Sequence, residues 1–337
     1  MTLHHEFMLN DEEMALLPTG DDVRFYREHG WYLSNRLFSD EEIDEVGESI
    51  DRFYAGYRDR NLPRKPPAVA YWEPEHGDVQ RHNDYIHYEN ATVRRILCKP
   101  LMGAVAARLM ESSEARIWSS TLIYKPARGD ESTNVVPWHI DLHHWQVCTS
   151  ENLVTAFIPM HDCLEEHGTI RVIDGSRRWK DLPSEEDDDE TQHFANRRPD
   201  TLERSLARNA EYNNAELRKI SIEIDKGRVS FHHCRTYHGS GPNVSGESRR
   251  VVTVRFQDRD NEYREFRRPS GEKVVYSHDD LVRRTADNRP DYSDPDYCPV
   301  VWRESLPPHV VDRPSAAALG SAGGAEGAKG ERRISRP

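Results

Sequence analysis

The first third of the chain places apolar residues at helical spacing. Residues 21–30 predict a short helix that ends at a glycine, and residues 31–38 predict a strand. Ser39 and Glu42 form a capping-box signature for a second helix. Its apolar positions recur on one face, at Ile43, Val46, Ile50, Phe53 and Tyr54. We expect this face, and that of a further helical stretch at 93–110, to pack against a sheet.

After residue 115 the pattern changes to short segments that are rich in β-branched residues, with turn signals between them. The predicted strands are 116–125, 153–160, 169–173, 220–224, 228–234 and 249–257. Many short strands preceded by helices predict a mainly β fold with flanking helices, in which the strands form a barrel or a sandwich.

The polar pattern divides the chain further. Residues 180–217 are acidic and poor in apolar residues, which predicts an inserted loop or lid rather than core strands. Residues 313–337 are rich in Ala, Gly and Ser, which is typical of a disordered tail. We therefore predict an N-terminal segment at 1–20, one domain at 21–312, and the tail.

Composition limits the class of partner. The 46 basic and 59 acidic residues give a net charge of −13, which disfavours nucleic acid or an anionic membrane as the main partner. The five cysteines form no C-x-x-C pair, and neither a secretory signal nor an apolar membrane-spanning run is present. We expect a cytoplasmic protein; the sequence leaves its oligomeric state open.

Candidate metal ligands occur in the run WHIDLHHW. His139 and Asp141 lie two positions apart, so a strand there would direct both side chains to one face. Two histidines and one carboxylate on one side of a metal leave positions open for a cosubstrate and O₂, as in Fe(II) oxygenases. The His-x-Asp pattern recurs at 82–84 and 278–280, where we expect no metal to bind.

A third ligand is predicted at His238, in the run YHGSGPNVSGESRR. The preceding strand is expected to end there, and a jelly-roll barrel can bring this residue beside His139 although 99 positions (238 − 139) separate them. Arg249 begins the returning strand and can hold a carboxylate through its planar guanidinium. Arg250 must point to the opposite face.

The chain resembles the phytanoyl-CoA dioxygenase family of Fe(II)/2-oxoglutarate oxygenases over about residues 20–305. The resemblance is carried, in order, by FYREHGWYLSNRLFSDEEI, LIYKP, WHIDLHHW, GTIRVIDGSRR and HGSGPNVSGESRR. It implies a double-stranded β-helix (jelly-roll, cupin-like) core. It also implies Fe(II), 2-oxoglutarate as cosubstrate, and O₂.

The resemblance assigns roles to individual positions. It implies that His139, Asp141 and His238 bind the iron, with Arg249, assisted by Ser240, on the distal carboxylate of 2-oxoglutarate. It also implies cosubstrate or substrate contacts at Lys125 and Arg81. The chain departs from the family pattern in the loop at 173–177, where Pro before Gly and His after Ser are missing.

Several neighbours of the His-x-Asp pair are candidates for the substrate pocket. These are Trp138, His143, Trp145 and Phe157. Period-2 alternation places His143 on the His139 face, where a surface position is equally consistent with the pattern. His232 and His233 fall on opposite faces of their predicted strand, and we expect no role for either.

The resemblance implies hydroxylation of an unactivated C–H bond in a small-molecule partner, a small metabolite or natural-product intermediate, with succinate and CO₂ as co-products. Desaturation, epoxidation, cyclisation and epimerisation remain open, because they depend on how the substrate is placed. Asp141 disfavours halogenation, since related halogenases carry a small residue at this position. Two other classes remain as alternatives, a non-catalytic jelly-roll binding protein and a zinc hydrolase.

Overall fold

Two antiparallel sheets form the centre of the computed structural model, which describes residues 7–127, 134–182, 199–268 and 270–304. The larger sheet contains β1 (Trp31–Leu33), β2 (Arg81–Asp84), β3 (Glu114–Lys125), β5 (Leu153–Pro159), β8 (Ser230–His233), β10 (Arg249–Gln257) and β11 (Val300–Arg303). The smaller sheet contains β4 (Val136–His139), β6 (Ile170–Ile173), β7 (Lys219–Ser221) and β9 (His238–Ser240).

The order of the strands is that of a jelly roll. The larger sheet runs β1-β8-β5-β10-β3-β11, with β2 also paired to β3, and the smaller runs β4-β9-β6-β7. Strands that are distant in sequence are therefore neighbours, as the jelly-roll prediction requires. The double-stranded β-helix core expected from the sequence is confirmed.

The described residues form eight α-helices. They are α1 (Asp11–Ala15), α2 (Gly20–His29), α3 (Asp40–Tyr54), α4 (Ile86–Glu89), α5 (Ala91–Leu97), α6 (Pro100–Met110), α7 (Pro199–Tyr212) and α8 (Ser277–Leu281). The capping box that starts α3 is formed as predicted, because Ser39 and Glu42 each accept a hydrogen bond from the other's backbone N–H. Helix α2 ends at Gly30, whose φ of 84° lies in the left-handed region that favours glycine.

Alternation along β10 separates the two faces of the larger sheet. Val252, Val254 and Phe256 are buried on the outer face, in the same cluster as the apolar residues of α3, α5 and α6. Arg249 and Thr253 are buried on the inner face and line a cavity. The helices therefore cover the outer face of the larger sheet, and side chains of its inner face line the cavity.

Two predicted strand boundaries are wrong. The strand predicted at 31–38 ends at Leu33, and that predicted at 220–224 covers 219–221. The predicted lid at 180–217 contains α7, in which Leu202, Leu206 and Ala210 are buried. These three residues recur every four positions, so one helical face is apolar in a segment that is polar on average. Residues 183–198 of that segment lie outside the described residues.

The predicted division of the chain into an N-terminal segment, one domain and a tail remains a prediction. The described residues up to 304 form one unit, in which Leu9, Leu16 and Leu17 from the N-terminal segment pack against the main core. The tail predicted at 313–337 lies outside the described residues. None of the described helices is long and apolar enough to cross a membrane. All five cysteines are free thiols.

Close packing of α6 against β11 gives a test of the fold. A methyl group at Gly103 would lie 2.7 Å from Trp302 Cβ and 2.8 Å from the backbone carbon of Val301. We therefore expect Gly103→Ala to lower the free energy of unfolding by about 1–3 kcal/mol, as overpacking does, despite the better helix propensity of alanine. Urea denaturation would measure the change.

Gly47 in α3 is the matched control, because a methyl group there meets nothing within 4 Å. Gly47→Ala should raise the free energy of unfolding by about 0.5–1 kcal/mol through helix propensity alone. Equal effects of the two substitutions would show that the packing of α6 on β11 is not as described.

Candidate metal centre and active site

One cavity of about 410 Å³ lies between the two sheets. The inner faces of β2, β3, β5, β8 and β10 line one side, and β4, β6 and β9 line the other. Its wall mixes aromatic rings, including Trp118, Trp145 and Tyr276, with a small number of charged groups. A cavity of this size with a few convergent polar groups is typical of a small-molecule site.

His139, Asp141 and His238 come together in this cavity. His139 and His238 are directly opposite each other in the β4–β9 pair. Nε2 of each imidazole lies 3.7 Å from Oδ1 of Asp141, and one donor atom from each of the three side chains lies within 4.8 Å of the others. Among the described residues this is the one group of histidine, cysteine and acidic side chains with that spacing.

The strand argument that paired His139 with Asp141 needs correction. Strand β4 ends at His139, and Asp141 starts a 3-10 helix. Ile140 keeps extended dihedral angles of −113° and 126°, so Asp141 still lies on the same side as His139. His238 was expected at the end of a strand, whereas it is the first residue of β9.

Neighbouring groups orient all three side chains. Nδ1 of His139 donates to the backbone carbonyl of Pro137 (2.8 Å), and Nδ1 of His238 donates to that of Thr236 (3.0 Å). A proton on Nδ1 leaves Nε2 with its lone pair directed at the shared position. Thr155 donates to Oδ2 of Asp141 (2.8 Å), so Oδ1 faces the two imidazoles.

The protonation states favour a divalent cation. Burial lowers the pKa of both imidazoles, that of His238 to about 4, so both are neutral at pH 7. Burial by itself raises the pKa of the Asp141 carboxyl, but the adjacent imidazoles of His238 and His232 outweigh it, and this pKa lies well below its usual value. Two neutral nitrogen donors and one anionic oxygen donor fit Fe(II).

A basic pocket lies at the end of the cavity where β10 begins. Arg249 and Lys125 are opposite each other on β10 and β3, and both are almost fully buried. Lys125 donates to Ser240 Oγ (2.7 Å), and Arg249 donates to the backbone carbonyl of Gly168. Nε of Arg249 has no hydrogen-bond partner in the described part of the chain.

These two buried cations need an anion. Burial lowers the pKa of Arg249 to about 10, and burial together with the Arg249 charge holds the pKa of Lys125 well below its usual value. No carboxylate among the described residues forms an ion pair with either of them. A buried charge without a partner is strongly unfavourable, so a bound carboxylate fits this pocket. Arg250 points outward to Asp51, as the alternation predicted.

Two of the predicted pocket residues line the cavity and two do not. Trp145 and Phe157 contribute to its wall. Trp138 and His143 instead line a small separate cleft beneath α7, and His143 lies 3.9 Å from Asp181. The 3-10 helix that starts at Asp141 breaks the alternation on which the placement of His143 rested.

Arg81 does not line the cavity, although a contact with cosubstrate or substrate was predicted for it. Its guanidinium lies over the rings of Trp72 and Tyr124, 4.1 Å from each, and donates to Asp78. Strand alternation explains the difference, because His82 and Asp84 line the cavity from the other face of β2.

His232 contributes to the site although the sequence indicated no role for it. Its Nε2 lies 3.6 Å from Oδ2 of Asp141, and its ring lies 4.1 Å from that of His238. Neither ring nitrogen has a hydrogen bond within the described residues. Pairing of β8 with β5 places His232 opposite Thr155, which itself binds Asp141. Strand pairing across the sheet is a signal that a single sequence does not contain.

A jelly-roll core that holds two histidines and one carboxylate in its cavity defines the class of mononuclear non-haem Fe(II) oxygenases that use 2-oxoglutarate. The sequence profile of the family described as phytanoyl-CoA dioxygenase (PhyH) matches residues 26–251. The chain therefore belongs to the phytanoyl-CoA dioxygenase family.

Relatives of known activity agree with this assignment. The chain is 27% identical over 253 residues to ectoine dioxygenase of Bordetella bronchiseptica, covering 72% of this chain and 76% of that protein. It is 26% identical over 274 residues to the peroxisomal phytanoyl-CoA dioxygenase of Bos taurus, covering 77% and 75%.

Solved structures share the fold. EctD from S. alaskensis, crystallised with 2-oxoglutarate and 5-hydroxyectoine, has a TM-score of 0.57 and 19% identity, covering 80% of this chain and 87% of that chain. The epimerase SnoN, crystallised with Fe³⁺, α-ketoglutarate and a nogalamycin, has a TM-score of 0.60 and 18% identity, covering 83% and 97%.

The buried lysine gives a prediction for pH. In the folded protein the pKa of Lys125 is depressed below the 10.5 of an ordinary lysine, so the unfolded chain binds the extra proton between the two values. The free energy of unfolding should therefore rise with pH through this window, and Lys125→Met should remove that part of the rise. Urea denaturation without 2-oxoglutarate, at pH values from about 7 to 10, would measure it.

Lys226→Met is the control, since this partly exposed lysine lies in an ion pair with the exposed Asp44. It should leave the slope unchanged. If Lys125→Met keeps the full slope, then Lys125 is not a buried, destabilised cation.

Proposed function

We propose that the protein is a hydroxylase that uses Fe(II), 2-oxoglutarate and O₂ to oxidise an unactivated C–H bond of a small metabolite. In this proposal His139, Asp141 and His238 bind the iron. Arg249, with Ser240 and Lys125, binds the distal carboxylate of 2-oxoglutarate. Trp145 and Phe157 contact the cosubstrate or the substrate.

The observation that carries the proposal is that a metal-binding triad and an anion pocket share one cavity. Arg249 and Ser240 line the same cavity as the triad, and Lys125 is hydrogen-bonded to Ser240. Ser240 also lies two residues after His238, on the same strand. A molecule with a carboxylate at one end and a metal-chelating group at the other would satisfy both parts of the cavity at once.

The protein's own groups have distinct tasks in this reaction. Fe(II), when bound, supplies the activation of O₂ that oxidises the C–H bond. Arg249 and Lys125 orient 2-oxoglutarate, because a planar guanidinium and an ammonium at one end fix the direction of the molecule. The hydrogen bond from Thr155 keeps the Asp141 carboxylate in place, and the ring of His232 lies next to it. The aromatic wall of the cavity limits water around the reacting bond.

The substrate is proposed to be small because the cavity must also accommodate 2-oxoglutarate within about 410 Å³. Hydroxylation converts the C–H bond into a C–OH group. A different placement of the substrate would lead to desaturation or epimerisation instead. A reducing cytoplasmic location is consistent with the five free thiols.

Loss of a metal ligand should abolish turnover. We expect Asp141→Ala to remove succinate release from 2-oxoglutarate under Fe(II), ascorbate and O₂, because two imidazoles alone hold the metal poorly. The decrease should be at least about 100-fold, since changing even an outer-shell partner of a metal site costs 10–100-fold. Succinate would be measured by mass spectrometry.

Asp280→Ala is the matched control, because Asp280 belongs to another His-x-Asp run and forms a surface ion pair with Arg64. It should release succinate at the wild-type rate. Hydrolytic activity of the zinc-loaded protein without O₂, together with no succinate from the Fe(II)-loaded protein, would show instead a zinc hydrolase.

The anion pocket is tested by a pair of neighbouring arginines. Arg249→Ala should raise the KM for 2-oxoglutarate by about 10- to 100-fold, which corresponds to the loss of a charge-assisted hydrogen-bonded pair. Arg250→Ala should change it little, because Arg250 faces Asp51 on the outer surface. Steady-state kinetics of succinate release would show both. The reverse ranking would place the cosubstrate on the other face of β10.

A further inference from the structure

A second charged cluster lies in the cavity, on the side away from Arg249. Thr121 Oγ1 donates to Asp84 Oδ1 at 2.6 Å and accepts from Arg255 Nη1 at 2.5 Å. The three side chains come from β2, β3 and β10, and all of them line the cavity. Asp84 and Arg255 are thus held within about 5 Å of each other by a single hydroxyl group.

The two charges in this cluster do not neutralise each other directly. Thr121 is the one hydrogen-bond partner of the Asp84 carboxylate among the described residues. The same hydroxyl is the one partner of the Arg255 guanidinium there, and Nε of Arg255 is buried without a hydrogen bond. The described residues contain no ion pair of 4.0 Å or less for either side chain. Each group therefore keeps hydrogen-bonding capacity for a ligand.

The position of the cluster separates it from the 2-oxoglutarate pocket. Arg249 and Arg255 lie on the same face of β10, six residues apart, which corresponds to roughly 20 Å along a strand. Arg255 is paired across the sheet with Thr155, whose hydroxyl binds Asp141. Thr121 and Asp84 are level with Thr253 of β10, four residues from Arg249, so the cluster lies beside the metal triad and apart from the pocket of Arg249 and Lys125.

Binding of a ligand would explain why Asp84 and Arg255 line a cavity without pairing with each other. A carboxylate and a guanidinium removed from bulk water are unfavourable unless they are paired and hydrogen-bonded. A bound molecule would provide what the fold does not, namely a donor for Asp84 and an acceptor for Arg255. The closeness of the two groups requires that the donor and the acceptor in the ligand are also close together.

We propose that Asp84 and Arg255, with Thr121 between them, bind a zwitterionic substrate through its protonated nitrogen and its nearby carboxylate, as in an amino acid. Asp84 accepts hydrogen bonds from the ammonium group, and Arg255 donates to the carboxylate. This inference rests on the proposed function, because it takes the cavity beside the metal triad to hold the substrate. It goes further by naming the chemical class of that substrate.

The test uses four probes of one ring size that differ in charge. Pipecolic acid is zwitterionic, piperidine is cationic, cyclohexanecarboxylate is anionic and cyclohexanecarboxamide is neutral. Isothermal titration calorimetry on the full chain, loaded with Fe(II) and 2-oxoglutarate without O₂, measures each Kd without turnover. Pipecolic acid should bind at least about tenfold more tightly than each of the other three, since each missing charge leaves a buried group unpaired.

Substitutions show whether the cluster causes this preference. Asp84→Asn should remove most of the preference for pipecolic acid over cyclohexanecarboxylate, and Arg255→Gln most of that over piperidine. Asp84→Glu and Arg255→Lys keep the charges and should retain part of each preference, which controls for variants that fold poorly. Asp51→Asn and Arg250→Gln remove the same charges from an ion pair on the outer surface of the protein and should change no Kd.

The proposal is wrong if wild-type protein binds none of the four probes, if the neutral probe binds as tightly as pipecolic acid, or if the preferences persist in Asp84→Asn and Arg255→Gln. Failure of the proposed function is distinguishable from these outcomes. It would appear as absent succinate release in the wild type, a separate measurement that needs no added substrate.

Discussion

The pairing of β4 with β9 is the constraint on which the active site depends. It places His139 directly opposite His238, although 99 residues separate them in the chain. Backbone carbonyls of the same two segments then fix both rings through Nδ1, so that Nε2 of each faces a common position. A slip of one residue in this pairing would turn one imidazole to the other face of the sheet and break up the site.

The two faces of the larger sheet have different roles. Its outer face buries valines, isoleucines and phenylalanines against α3, α5 and α6, which provides much of the apolar contact that stabilises the domain. Its inner face therefore need not be apolar, and it presents Thr155, His232, Arg249 and Arg255 to the cavity. Groups that are unfavourable to bury are thus concentrated where ligands can compensate them.

Three groups of charged or metal-binding side chains lie in the cavity. A basic pocket at Arg249 and Lys125 lies at one end, and the metal triad and the pair Asp84 and Arg255 lie beside each other further along β10. Membership of the phytanoyl-CoA dioxygenase family agrees with a metal centre in this cavity.

The sequence by itself determined the elements and the chemical types. Local patterns gave the capping box of α3, the extent of β10 and the inward and outward directions of Arg249 and Arg250, because helix caps and strand alternation depend on residues close in the chain. The motif around WHIDLHHW, combined with the downstream run at His238, was sufficient to predict the triad and its metal.

Only the tertiary structure decided which other side chains share the cavity. His232 and Asp84 enter it because β8 pairs with β5 and β2 pairs with β3. Arg81 leaves it because it lies on the other face of β2, and His143 leaves it because a 3-10 helix interrupts the alternation. These outcomes depend on contacts between distant segments and on local irregularities of the backbone. The pattern of residues in a single sequence predicts neither the contacts between distant segments nor these irregularities.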